Sequence, residues 1–468
     1  MRFLLTSFLL SFITLSQAQS LFFNTYGTNE AEERAFDMVI LDDGSIITAG
    51  DRYATSNAQR TGYLLKVDSD GNEQWGRQLT SNSFLFGTSI CQLPNGNVFV
   101  AGYDYDVPNR NYGIVVAAYN ASNGVPIYQT THELDEDAEA RDVIPMPDNG
   151  AIVLASYETA STVTCLLVRL NASGDTVWTR PVNPYPGNEE PRELALLSDG
   201  LMIVGSVRSG TTDNVFIVKT DLDGNIIWDQ EYPSSGLEFG ESIVENPSGG
   251  FYVAGTTNAI GNGGLDVLAM KVDATGQLIW ANAYGRGGNE LGYDVDVMPD
   301  GGAIFTGSLY KADTSNFRDL ALIRTDAAGE VLWTRYFGDV YKETGHEVQV
   351  DGDYIVACGK ADINNSENVA IVRADINGNA GVGINDSHND PPFTIYPNPF
   401  VESVYLEWET NQTLPISIMI SDLTGKVLWQ SSVTNRASVN LAWLPPGTYL
   451  LSGFRNGHPF VSRLVKSE

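Results

Sequence analysis

Apolar and polar positions along this chain alternate in short blocks. Runs such as FYVAG (Phe251–Gly255), FIVK (Phe216–Lys219) and DVLAMKVD (Asp266–Asp273) are apolar on nearly every residue. Each is bounded by a polar turn rich in Asp, Asn and Gly, the pattern of two strands joined by a hairpin. Glycine at such a turn takes the positive backbone angle that closes it. Apolar residues in unbroken succession, rather than strict alternation, predict sheets covered on both faces.

The blocks repeat. KVDATGQLIW at Lys271–Trp280 returns as KVDSDGNEQW at Lys66–Trp75, RLNASGDTVW at Arg169–Trp178, KTDLDGNIIW at Lys219–Trp228 and RTDAAGEVLW at Arg324–Trp333. Weaker copies lie at Ala118–Tyr128 and Arg373–Val382. Their glycines are Gly71, Gly124, Gly174, Gly224, Gly276, Gly329 and Gly378, a period of about 50 residues that points to a propeller or a similar array. A second hairpin precedes each copy, as in Gly292–Ser308, Phe239–Thr256 and Phe86–Gly102. Four strands per unit is the count of a propeller blade. The Trp of each copy is expected to give its sheet a large buried surface.

Seven upstream hairpins can be aligned, but the Trp-bearing strand follows its own partner only six times. Leu21–Gly27 (LFFNTYG) has the pattern of Trp280–Gly285 (WANAYG) and precedes the first hairpin. The early strand is therefore expected to complete the last blade. Closure of that kind removes unpaired strand edges. The predicted fold is all-β: a seven-bladed β-propeller over 19–380, a linker over 381–392 and a small C-terminal β-sandwich over 393–468. The order of YG, GYDVDVMPDGGAIFTGS and RTDAAGEVLWTRYFG resembles the bacterial seven-bladed propeller repeat family found in secreted proteins. That resemblance implies a fold and says little about activity.

Residues 1–18 read as a signal peptide, with Arg2 ahead of the apolar run Phe3–Leu15 and a small-residue end at Ala18. No cysteine follows, so no lipid anchor is indicated, and no later apolar run is long enough to span a bilayer. The formal net charge of −31 argues against nucleic acid or an anionic membrane as partner. Cys91, Cys165 and Cys358 fall in separate repeats and read as buried small hydrophobes rather than a disulfide framework. The four histidines show neither metal-ligand spacing nor a Ser/His/Asp set, and no cofactor is expected. VDATGQLIW is similar to the repeat of quinone-dependent dehydrogenase propellers. Its spacing is one residue short and its Thr occurs in this copy alone, which argues against a quinoprotein. The turns DSDG (Asp68–Gly71) and DLDG (Asp221–Gly224) lack the distal glutamate of a calcium loop and read as hairpin turns.

The tail differs from the rest. It carries five acidic and five basic residues, so the acidic excess belongs to the propeller. Its motifs are Tyr396-Pro397-Asn398-Pro399, the turn Asp422…Gly425-Lys426, the segment Pro446-Gly447-Thr448-Tyr449 and the final Lys466. In that order they resemble the C-terminal sorting domain of type IX secretion substrates. The resemblance implies recognition by the outer-membrane export machinery, frequent removal of the tail, and release of the passenger or its attachment to the outer surface.

Aligning the first strand of each hairpin gives two adjacent columns. One reads Asp37, Ser89, Asp142, Glu193, Ser242, Asp294 and Glu347; the other, one residue earlier, reads Phe36, Thr88, Arg141, Arg192, Glu241, Tyr293 and His346. A repeated carboxylate column facing the channel would hold neighbouring blades in register, or hold a hard cation on oxygen. A non-repeating column on a repeating scaffold is where a ligand would be read, although pairing of Arg141 and Arg192 with the carboxylate ring is the commoner outcome for such residues. Further candidate contacts are aromatic residues on the loops Gly50–Gly62, Gly102–Gly113 and Ser308–Leu320: Tyr53, Tyr103, Tyr105, Tyr112, Tyr310 and Phe317. The expected function is binding or scaffolding at or beyond the cell surface, with a glycan or a surface protein as ligand. The alternative is an extracellular polysaccharide hydrolase or lyase that uses the carboxylates.

Overall fold

The computed structural model describes residues 21–27, 31–54, 59–79, 84–106, 111–159, 161–185, 187–310, 317–338, 342–363, 366–380, 393–408, 416–422, 427–433, 437–455 and 458–467. The expected signal peptide and linker lie outside the described residues. Residues 31–375 form seven four-stranded antiparallel sheets, and the strand Phe22–Tyr26 supplies the fourth strand of the seventh. Phe22 pairs with Arg373 and Tyr26 with Val369, which is the expected closure. Numbering the blades in chain order, the first strands begin at Ala31, Phe84, Asp137, Glu189, Glu238, Leu291 and Glu343.

The second and third strands of each blade are buried almost throughout, as Phe251–Thr257 and Asp266–Val272 show. Each is sandwiched between two neighbouring blades, which explains the unbroken apolar runs. Separate clusters such as Ala151, Val153 and Leu166 against Val116 and Phe99 fill successive gaps between blades.

The repeated motif is a stitch from one blade to the next. In three copies its Lys or Arg reaches a turn carbonyl of the following blade, Lys66 Nζ to Ala121 O, Lys271 Nζ to Ala327 O and Arg373 Nη1 to Ser69 O, whereas Arg169, Lys219 and Arg324 bond Asp148, Asp199 and Asp300 of their own blade. Its Asp accepts backbone N–H groups within its own turn, as Asp273 does from Thr275 and Gln277. The same arrangement at Asp68 and Asp221 fits the hairpin reading of those turns. Its Gly is doubly required. Gly276 has φ +82°, and a Cβ there would lie 2.8 Å from the Trp228 ring of the preceding blade. The tryptophans are thus rim residues packed across the gap between blades, and Trp228, Trp280 and Trp333 are only half-buried. The expectation that each Trp gives its sheet a large buried surface holds for Trp75, which is buried, and is corrected for Trp178, Trp228, Trp280 and Trp333, which are half-buried because the outermost strand meets the next blade only at its turn.

The closing strand makes the same stitch. Asn282 Nδ2 and Tyr284 Oη donate to Gly329 O at 3.1 and 2.7 Å; Asn24 Nδ2 and Tyr26 Oη donate to Gly71 O at 3.2 and 2.7 Å. Phe22 stands where Trp280 does, 3.0 Å from the Cβ position of Gly71. The strand therefore completes blade 7 and also clamps blade 1.

Seven further strands form the tail. A three-stranded sheet (Phe393–Tyr396, Ser403–Trp408, Ala437–Asn440) faces a four-stranded one (Ile416–Ser421, Val427–Val433, Gly447–Arg455, His458–Lys466). Phe400, Leu406, Ile418, Leu451 and Leu464 lie in the core between them. The three cysteines are free and buried. The described residues contain no helix long and apolar enough to cross a membrane.

Candidate functional site

The innermost strands carry the two aligned columns, and a bulge in each strand governs where they point. Pairing in blade 1 skips from Ala35 to Asp37, in blade 3 from Ala140 to Asp142, in blade 4 from Pro191 to Glu193 and in blade 6 from Gly292 to Asp294. The same skip occurs before Ser89, Ser242 and Glu347. The residue left out is Phe36, Thr88, Arg141, Arg192, Glu241, Tyr293 or His346. In a regular strand adjacent side chains point to opposite faces. A bulge puts two residues opposite one and re-aims a side chain. Both columns therefore line one cavity of about 340 Å³. It gathers Asp37, Asp142, Glu193, Asp294, Glu347, Arg141, Arg192, Tyr293 and His346, together with Phe36, Ser89, Glu241 and Ser242. The side chain of Thr88 lies outside the described residues.

The repeating column joins blade to blade. Asp37 Oδ2 accepts from Ile90 N at 2.8 Å, Asp142 Oδ2 from Leu194 N at 2.7 Å, Glu193 Oε2 from Ile243 N at 3.0 Å and Asp294 Oδ2 from Val348 N at 2.6 Å. Ser89 Oγ donates toward both Asp37 and Asp142, and Ser242 Oγ donates to Asp294. Asp37 and Asp142 also hold the backbone N–H of the residue that follows each. Burial, and for Asp37 the charge of Asp142, pushes these carboxylates up: Asp37 and Asp294 to about 7, with Asp142 raised and Glu193 and Glu347 well above the usual range. The arginines do not pair with this ring. Arg141 bonds Glu139 at 2.8 Å and Ser156 Oγ at 2.9 Å. Arg192 pairs with Glu190 at 3.3 Å and with Glu241 at 3.5 Å.

The non-repeating column divides the cavity into two halves. On one side Tyr293 meets His346 edge-on at 5.0 Å, and Phe36 lies 5.3 Å from the same imidazole. His346 Nδ1–H donates to Ala35 O at 2.7 Å, which leaves Nε2 as an acceptor. Burial lowers the pKa of this imidazole to about 4, so it is neutral at physiological pH. On the other side stand Arg141, Arg192 and Glu241. The expectation of a cation on the carboxylate column is not supported: among the described residues no group of three or more His, Cys, Asp or Glu side chains could hold a metal ion. Both oxygens of Asp37, Asp142 and Asp294 are occupied by N–H and O–H donors.

Two features escaped the sequence reading. A second carboxylate column, Glu33, Glu189, Glu238, Glu290 and Glu343, stands four residues ahead of the first and is buried. The alignment that gave the first column would have shown it. A second cavity, of about 580 Å³, lies among the turns between first and second strands, lined by Leu93, Pro94, Pro145, Met146, Pro147 and Leu196 among others. The three long loops are mostly strand. Tyr53 pairs with Arg60, Tyr105 with Tyr112 and Tyr310 with Arg318. The aromatics therefore sit on hairpin arms, whose tips at 55–58, 107–110 and 311–316 lie outside the described residues.

In the tail, Lys466 is buried, with Nζ donating to Leu441 O at 2.9 Å and Ala442 O at 2.8 Å and lying 5.9 Å from the centre of the Phe400 ring. Asn398 Oδ1 accepts from Val465 N at 2.8 Å. The Tyr396 ring stacks on Tyr405, and Tyr449 Oη donates to Pro445 O. The first and last motifs thus meet at one seam, flanked by Pro397 and Pro399, while Gly447 opens the strand that carries Tyr449. Gly425 and Lys426 lie outside the described residues.

Residues 394–467 match the family model described as "Secretion system C-terminal sorting domain". No match was found among curated proteins. Among solved structures the chain is similar to puromycin hydrolase, at 14% identity and TM-score 0.50 over 83% of this chain and 62% of that one. It is also similar to Sqt1 from Chaetomium thermophilum, at 13% identity and TM-score 0.45 over 78% and 86%. A third is an alpha-L-arabinanase from Penicillium chrysogenum solved with arabinobiose, at 12% identity and TM-score 0.44 over 76% and 98%. Identity at these levels shows fold alone.

Proposed function

We infer that the sorting domain following the seven-bladed propeller marks the chain for secretion by the type IX machinery. We propose that the exported propeller is a binding module at the outer surface or beyond it, and that it takes a glycan in the bulge-lined end of its channel. One observation carries this reading: the bulge turns into the cavity a column that varies from blade to blade, Arg141 and Arg192 alone being alike, while the column that repeats is consumed in joining blades. Phe36, His346 and Tyr293 offer apolar ring faces and edges to the C–H face of a sugar ring. Arg141, Arg192 and Glu241 offer charged hydrogen-bond partners to its hydroxyls.

Catalysis by the carboxylates is the weaker reading for a chemical reason. A general acid or a nucleophile needs an oxygen free to meet substrate. Both oxygens of Asp37, Asp142 and Asp294 already accept hydrogen bonds from the protein. The test is retention of the full exported chain on a panel of immobilised polysaccharides. At least one should retain it, and Tyr293→Ala or Arg192→Ala should weaken that retention about tenfold or more. Retention by none, or release of sugar fragments by the purified protein, overturns the proposal.

A further inference from the structure

Two members of the second glutamate column, Glu290 and Glu343, follow a blade whose third strand carries a buried aspartate at the equivalent position, Asp266 and Asp319. A buried carboxylate needs donors or an opposite charge. Glu33 has Arg52 Nε at 2.9 Å. Glu189 has Thr164 Oγ1 at 3.2 Å and Tyr185 N at 2.8 Å. Glu238 has Thr257 Oγ1 at 3.2 Å. At Glu290, the third strand of the preceding blade presents Asp266, where the corresponding strands of blades 3 and 4 present Thr164 and Asn214. An acceptor stands where a donor is needed.

Asp266 is 1% exposed and Glu290 is fully buried. A Cβ placed on Gly285 would lie 1.9 Å from Asp266 Oδ1 and 3.1 Å from Glu290 Oε2, so both oxygens open onto one small space that only glycine leaves clear. Neither oxygen has a hydrogen-bond partner. The opposite oxygen of each is held by a loop: Asn262 N–H donates to Asp266 Oδ2 at 3.0 Å, and Arg286 N–H to Glu290 Oε1 at 3.4 Å. The two loops, 258–265 and 285–290, are rich in glycine and run side by side. Gly264 N–H donates to Gly288 O and Glu290 N–H to Leu265 O, at 2.9 and 2.8 Å. Leu265 N–H donates to Asn289 Oδ1 at 3.0 Å.

We propose that Asp266 and Glu290 bind a hard divalent cation of the calcium type, which supplies the positive charge that their facing oxygens lack and clamps blade 5 to blade 6. Oxygen-only ligands favour calcium over zinc or copper. Pliable glycine loops suit its irregular coordination, with water and loop carbonyls completing the shell. Two carboxylates are a low charge count, which places the affinity near the 10⁻⁴–10⁻³ M range typical of extracellular modules, about millimolar. The competing occupant is a proton shared between the two acids.

The experiment compares the full exported chain in about 5 mM calcium and in chelator. Calcium should raise Tm by about 2 °C or more. Titration calorimetry should show calcium binding to the wild-type protein that the Asp266→Asn/Glu290→Gln variant lacks. Equal melting with and without calcium, together with no binding heat in the wild type, overturns the proposal and assigns the space to a proton. Binding heat that survives in the variant also overturns it, because the calcium then sits elsewhere. Should the variant fail to fold, the wild-type comparison of melting and binding heat decides alone.

Discussion

Asp294 and Tyr293 are neighbours in sequence and line the same cavity, yet they answer to different demands. Asp294 belongs to a column that recurs as carboxylate or serine in every blade, and its oxygens bind the backbone of blade 7 and the hydroxyl of blade 5. Tyr293 belongs to a column with no two adjacent blades alike except Arg141 and Arg192, and its ring contact is with another member of that column, His346. Repetition marks what every blade needs from its neighbour. Variation, on a scaffold that otherwise repeats, marks what the ring presents to something outside it.

The comparison breaks most severely if the ring does not need closing. Removal of residues 19–27 should abolish cooperative melting, because blade 7 loses its outer strand and blade 1 loses the Phe22, Asn24 and Tyr26 clamp on Gly71. Circular dichroism on heating checks this. Next in size is Asp294→Ala, which leaves the buried Val348 N–H without its acceptor and should cost about 3 kcal/mol, measured by urea unfolding.

A smaller effect is pH dependence. Asp37 and Asp294 have folded pKa values near 7, above the ordinary carboxylate value of 3.8. A raised folded pKa means stability that is full below the unfolded pKa and is lost as pH rises through the folded one. The ring should therefore gain Tm as pH falls from 8 toward 5. His346 acts in the opposite sense: its folded pKa is about 4 against 6.5, so it withdraws stability as pH falls below about 6.5. Asp294→Asn should flatten the gain between pH 8 and 5. A Tm that falls steadily from pH 8 to 5 would show that the ring carboxylates are ionised at neutral pH. The smallest effect on stability belongs to the variable column. Tyr293→Ala or Arg192→Ala should change unfolding free energy by about 1 kcal/mol or less, while changing glycan retention the most.

The ring was legible in the sequence because most blades repeat the same local chemistry: a Lys or Arg before the turn, an Asp or Asn that holds its own turn, and a Gly packed against a residue of the preceding blade. The closing strand was legible because Phe22, Asn24 and Tyr26 copy Trp280, Asn282 and Tyr284. The cavity was only half legible. Alignment sets Asp294 beside Tyr293, but strand alternation predicts that one of them faces away. The bulge that turns both inward is a matter of pairing register, and no residue type signals it. The rim position of the tryptophans was hidden for a similar reason, since a motif does not say which neighbour it packs against. The hairpin arms at Tyr53, Tyr103 and Tyr310 read as loops because their polar residues resemble turn chemistry, whereas ladder pairing extends through them.

The central claim is that adjacent positions in one strand divide holding the ring from meeting a ligand. Its most direct test is to measure Tm and polysaccharide retention together for Asp294→Asn and Tyr293→Ala. The account predicts a lowered Tm at pH 5, where the contribution of Asp294 is largest, with retention preserved in the folded protein for the first, and a nearly unchanged Tm with weakened retention for the second. Equal loss of stability in both variants, or loss of retention by Asp294→Asn at native Tm, would contradict it.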